Sequence, residues 1–306
     1  MKRGLWPMIV VLALAFSACA PAPRAFEDTP TSEATATPTM VGAQRAAPLL
    51  REAERKNETA LRFHRRRCLK DASQAYEEVL RLDPPRPPSP AELKLAKGFA
   101  PRLYVTPNEP FVLEDFAVII HPDKPFIAYH MFWDDDIDYP EDNDPTDHEV
   151  MWVKYDPASL KVAGVYAYYH GKILSTEEAV EDARAHAQRP RIEVQWGKHG
   201  SLPVGWEEID GGGILRDMKR TYERLHEEGH RLLDHPLARG WPRKFEGSWE
   251  DFTNFSKLVD PLKLIEAKGM VMVSRWNNAV IDQYFLPYNF YPKQEWPSKV
   301  TLWNDS

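Results

Sequence analysis

The sequence predicts a mainly β domain with helical insertions, preceded by an α-helical extension, and three observations carry that expectation. Runs rich in aromatic and β-branched residues recur between Phe116 and Trp196, as strands require. Asp156-Pro157-Ala158-Ser159, good turn chemistry, separates two of these runs. Upstream, residues 48–82 have helix-forming composition and an apolar stripe of Leu61, Cys68, Ala72, Tyr76 and Val79 at helical spacing.

Taken in order, the chain opens with Lys2 and Arg3, then an apolar run, Met8 to Phe16, too short to span a bilayer. It ends in Phe16-Ser17-Ala18-Cys19, which resembles a bacterial lipobox. Residues 1–19 are therefore expected to be a lipoprotein signal peptide, with Cys19 carrying the acyl chains (palmitate among them) that anchor the protein to a membrane outside the cytoplasm. The alternative is an ordinary secretory signal, and both export the protein. Residues 20–42 are rich in Pro, Ala, Thr and Ser and read as a disordered tether. Residues 43–90 form the helical extension, closed by a linker with five prolines between Asp83 and Pro90.

Residues 91–306 make the main domain. A short helix is expected at Ala91–Gly98, then strands at Phe116–His121, Pro125–Trp133, Met151–Tyr155, Val162–Tyr169 and Arg191–Trp196. Ser175-Thr176-Glu177-Glu178 has capping-box spacing and opens a helix to about Ala187. Gly211-Gly212-Gly213 precedes another, Ile214 to about Leu233; Gly269–Trp276 is the last strand, and the tail from Asp282 is aromatic.

Without Lys2 and Arg3, the 39 basic residues fall to 37 against 46 acidic ones, a formal charge of −9. That balance argues against nucleic acid and against anionic membrane surfaces as partners. Only Cys68 remains after Cys19, so the mature chain has no intramolecular disulfide.

Ala100-Pro101-Arg102-Leu103-Tyr104 with Asn108-Glu109-Pro110-Phe111, Asp147-His148-Glu149 with Trp152, Tyr169-His170-Gly171, and Gly197-Lys198-His199-Gly200-Ser201 follow one another in one order. Over about residues 95–215 that order resembles the vacuolar protein sorting-associated "sixty-two" family and the related necrosis- and ethylene-inducing proteins. The resemblance implies a β-sandwich with a loop-built site at one edge. In the necrosis-inducing relatives such a site holds a divalent cation and contacts membrane glycolipid head groups. Their His-Asp-Trp-Glu motif is only partly matched, since Met151 and Val153 stand where acids are expected. A hard cation needs several oxygens, which would have to come from Glu149, Asp147 or the run Asp134, Asp135 and Asp136.

A hairpin centred on Ala158–Ser159 would place His148 beside His170, and a strand–helix–strand crossover would allow Arg191–Trp196 to pair parallel with Val162–Tyr169. His148, Glu149, His170 and His199 would then converge as a mixed nitrogen–oxygen metal site or a general acid–base cluster. The plainer reading is of histidines hydrogen-bonded to loop backbone. Asp134, Asp135, Asp136, Asp138, Glu141, Asp142, Asp144 and Asp147 form either a cation site or a solvated acidic loop. His226-Glu227-Glu228-Gly229-His230 spells HExxH, the zinc-hydrolase signature, but Glu228 and charged flanks mark a surface helix, so no zinc site is expected there. The leading functional expectation is non-catalytic binding of a cation or polar cell-surface ligand, a glycan or lipid head group, at the His/Asp loop edge. The alternatives are a metal-dependent hydrolase using His148/His170/His199 or His226/Glu227/His230, and an envelope scaffold acting through the 43–82 helix.

Overall fold

The computed structural model describes residues 40–138, 146–229, 236–267, 269–284 and 291–298, with side chains from Ala47 on, Leu237 excepted. The signal peptide, Cys19 and most of the tether lie outside the described residues, as do Glu141, Asp142, Asp144, His230, Phe285, Tyr288 and Phe290.

The extension is two helices, α1 (Met40–Arg65) and α2 (Leu69–Leu82). The chain breaks between them at Arg67, whose φ is 59°, a left-handed conformation that no α-helix continues through. Ala72, Tyr76 and Val79 of the stripe are buried against Ala53 and Ala60 of α1, whereas Cys68 falls at the break and is exposed. Helix α3 (Pro90–Gly98) starts where the sequence places it because Ser89 and Glu92 form a reciprocal capping box, with proline at the first turn.

The strands follow: β1 (Arg102–Val105), β2 (Leu113–Ile120), β3 (Phe126–Trp133), β4 (Asp147–Asp156), β5 (Lys161–Tyr169) and β6 (Lys172–Leu174). Helix α4 (Glu177–Ala185), capped by the Thr176 side chain, leads to β7 (Arg191–Val194) and β8 (Ser201–Pro203). Then come α5 (Gly213–Glu227), α6 (Trp249–Phe252), β9 (Lys257–Val259), α7 (Leu262–Ala267), β10 (Met270–Val273) and α8 (Asn277–Tyr284). They build a six-stranded sheet, β10-β2-β3-β4-β5-β6, and a four-stranded sheet, β8-β7-β1-β9. Both sheets are mixed, with β10 parallel to β2 and β7 parallel to β1. Helices together span more residues than strands.

One apolar cluster joins the sheets: Leu103, Val105, Ile192 and Val194 of the smaller pack with Tyr129, Met131, Met151 and Val153 of the larger. The other face of the larger sheet is covered too. Ala128, Phe132, Val150 and Trp152 share a cluster with Val280 and Ile281 of α8 and with Trp296. A sheet buried on both faces needs apolar residues at odd and even positions alike, hence the near-unbroken burial along β3.

Two expected pairings are corrected. Strand β7 pairs with β1, in register Leu103↔Ile192, and not with β5. The free edge of β5 is occupied by β6, which returns through a two-residue turn at His170-Gly171. Both turn residues have positive φ, 44° and 87°, as a type I′ hairpin requires. The β4–β5 ladder runs from Asp156↔Lys161 to Met151↔Ala167, with a register shift after Lys154. His170 lies in the turn beyond it, so His148 and His170 are not ladder partners.

Candidate functional site

Side chains alternate across a strand, so Asp147 and Glu149 of β4 share the inner face of the larger sheet while His148 points outward. On the outer side the His148 imidazole stacks on Phe132 at 4.9 Å and on His130 at 5.2 Å, and its Nε2 lies 2.9 Å from His130 Nδ1. One ring must donate and the other accept, which two neutral imidazoles do and two imidazolium ions cannot. Burial holds both rings neutral, lowering His130 to about 3 and His148 well below its ordinary value.

On the inner side stands His199, with no solvent exposure. Its Nδ1 is 2.8 Å from Asp147 Oδ2 and its Nε2 is 3.2 Å from Glu109 Oε1. The ring lies flat on Trp133, 4.3 Å between centroids, and meets the edge of Phe111. Burial alone would depress its pKa, but the carboxylates of Glu109 and Asp147 overcome it and raise His199 to about 10. Both nitrogens therefore carry protons and donate.

The turn that positions His199 is strained and interlocked. Gly197 and His199 have φ of 63° and 51°, and His199 N–H donates to Gln195 O at 3.0 Å. Gly197 N–H donates to Glu109 Oε2 at 2.9 Å, and the Trp196 indole donates to Asn108 O at 3.1 Å. Ile137 N–H donates to Gly197 O at 2.7 Å, fastening the acidic loop to the same turn. The segments 108–111, 147–149 and 197–201, far apart in sequence, thus meet at one loop edge.

The remaining candidates are engaged elsewhere. His170 Nε2 faces Gln195 Oε1 at 2.6 Å, and desolvation of its ring, then the Lys198 charge, lowers its pKa. Glu149 Oε1 sits 3.2 Å from Lys293 Nζ; its burial, partly opposed by that ammonium, raises the carboxyl above its ordinary range. Asp135 and Asp136 accept backbone N–H groups from Asp136 and Asp138 at 2.8 and 2.7 Å, and Asp134 is exposed. Asp138 pairs with Lys198 and with Arg224.

The expected convergence of His148, His170 and His199 is therefore corrected: the sheet itself stands between His148 and His199, and His170 turns to Gln195. Among the described residues no three His, Cys, Asp or Glu side chains are grouped to hold a metal ion. Three carboxylates of the edge are already engaged, since Glu109 and Asp147 share a protonated imidazole and Glu149 faces an ammonium. Helix α5 ends at Glu227 and the chain turns at Gly229 (φ 68°), so it stops short of His230 and of the expected end near Leu233. His226 stacks on Tyr222 and its Nδ1 contacts Phe245 O at 3.1 Å.

Sequence reasoning missed three participants. Glu109 stood inside a quoted motif without a role, Gln195 looked like an ordinary strand residue, and Lys293 lay in a tail noted only for aromatics. None carries a local signal.

No family of known proteins and no curated protein matches the chain. Among solved structures, the crystal structure of Necrosis and Ethylene inducing Protein 2 from the causal agent of cocoa's Witches Broom disease matches with a TM-score of 0.26 and 15% identity, over 39% of this chain and 74% of that one.

Proposed function

We propose that this chain is an exported, lipid-tethered protein with a β-sandwich frame that binds a polar cell-surface ligand, without catalysis, at the loop edge around His199. The supporting observation is the state of His199: fully buried, between two carboxylates, with both nitrogens donating. Such an imidazole has no lone pair to take a proton or bind a metal. Its work is to hold the 108–111 loop, the start of β4 and the 197–200 turn in one fixed arrangement, and preorganised loops favour binding. Saturable binding without turnover is expected when the full-length protein in detergent is titrated with soluble sugars and head-group analogues. Chelator-sensitive hydrolysis of ester, phosphodiester or peptide substrates would remove the proposal.

The tether has its own test. No described helix is long and apolar enough to cross a membrane. The Cys19→Ser protein is expected to lose fatty-acid labelling and most of its membrane partitioning, because stable anchoring needs the acyl chains. Unchanged partitioning would remove the lipid anchor from the reading.

A further inference from the structure

Beside the loop edge lies an open cleft of about 350 Å³, lined by Tyr169, His170, Lys172, Lys198, Asp217, Arg220, Thr221 and Arg224. Its construction is simple. The type I′ turn brings Tyr169 and Lys172 together, the 197–200 turn adds Lys198, and α5 contributes residues 217, 220, 221 and 224. Those four positions follow the i, i+3, i+4, i+7 pattern of one helix face. Four cations therefore rim the cleft, on a chain whose formal charge is −7. Asp217 pairs with Lys172 and Arg220, and Asp138 with Lys198 and Arg224, leaving an excess of two positive charges. The side chains of Lys172, Arg220 and Arg224 keep 40, 73 and 43% of their surface, so they are available to a solute.

An independent feature points the same way. Tyr169 is 1% exposed and lines this cleft, yet its hydroxyl has no hydrogen-bond partner. A buried donor left unmade costs stability, so its retention calls for a reason. An oxyanion in the cleft would accept from that hydroxyl while facing guanidinium groups suited to it.

We propose that the cleft between the 169–172 hairpin, Lys198 and the exposed face of α5 binds a phosphate-type oxyanion, resting on the reading of this loop edge as a ligand-binding surface. The ligand is a phosphomonoester, either soluble or displayed as a lipid head group. The acidic surface elsewhere would repel a broadly anionic membrane and leave this cleft as the point of contact.

The test uses the full-length protein in detergent, titrated calorimetrically with inorganic phosphate, and its binding to phosphatidylcholine vesicles with and without phosphatidic acid. Saturable phosphate binding is expected, weakened roughly tenfold or more in the Arg220→Ala/Arg224→Ala protein and by added salt. Tyr169→Phe is expected to weaken phosphate several-fold with an unchanged or higher melting temperature, because it deletes an unpaired buried hydroxyl. A purely structural tyrosine would instead lower the melting temperature and leave affinity alone. Vesicle binding that phosphate displaces assigns the lipid source; phosphate binding without vesicle binding assigns a soluble ester. Absence of phosphate binding, or binding indifferent to the charge removals, overturns the proposal. Should a neutral sugar bind the loop edge in that case, the broader binding function survives and only the oxyanion falls.

Discussion

Replacing His199 with alanine is expected to destabilise the fold by about 3–5 kcal/mol, the scale on which breaking a buried ion pair acts. The variant would leave Glu109 and Asp147, 1% and 14% exposed at their side chains, facing each other with no cation between them. It would also free the 197–200 turn from the Asn108-Glu109 segment. The pH dependence gives a sharper reading. The folded-state pKa of His199 is raised to about 10 from an ordinary value of 6.5. Its stabilisation is then complete below about pH 6.5 and is lost as pH rises through about 10. The linkage amounts to roughly 5 kcal/mol at most across that window. Melting temperature should fall between pH 6.5 and 10 in the wild type. The fall should be much smaller in His199→Gln, which shares every other titrating group. Parallel pH profiles for the two proteins would show that His199 is not the ionic link described.

Glu295→Ala is expected to release the carboxyl-terminal segment from the body of the protein. The Glu295 carboxylate accepts from Asn57 Nδ2 at 3.0 Å and from the backbone N–H groups of Asn277 and Asn278, and its carbonyl accepts from the Trp152 indole at 3.3 Å. It thus ties together α1, the start of α8 and the outer face of the larger sheet. Losing these acceptors should cost about 2–3 kcal/mol, at roughly 1 kcal/mol per hydrogen bond. Two neighbours share the segment: Lys293, facing Glu149, and Trp296, whose indole donates to Arg275 O at 2.8 Å. Limited proteolysis should therefore cut the variant within or just before residues 291–298, while Glu295→Gln, which keeps an acceptor oxygen, should cut more slowly. Equal resistance of the wild type and the alanine protein would mean that the segment is held by other contacts.

Local chemistry accounts for what could be read directly from the residues. The short helix ending at Gly98, the turn after Tyr155 and the aromatic β-rich runs each depend on neighbours a few positions away, and each appears where the sequence places it. The 108–111 and 197–201 motifs meet at one edge, a contact that neither motif announces by itself. The histidine site was a different kind of inference. The convergence of its residues depended on strand pairing, and pairing is a property of the whole sheet.

By itself, then, the sequence determined the helical extension, the positions of the central strands and the acidic balance, all set by composition or short-range spacing. Tertiary structure decided the rest. A two-residue turn at His170-Gly171 gave the edge of β5 to β6 and sent β7 to the other sheet. Strand alternation put His148 and Asp147 on opposite faces, so one histidine became half of a neutral pair and another a buried cation. The basic cleft arose because one face of α5 packs beside that turn, bringing Lys172 and Lys198 to Arg220 and Arg224. The physical reason is the same in each case: ionisation and ligand preference depend on which groups come within a few ångströms, and here those groups lie tens of residues apart in the chain.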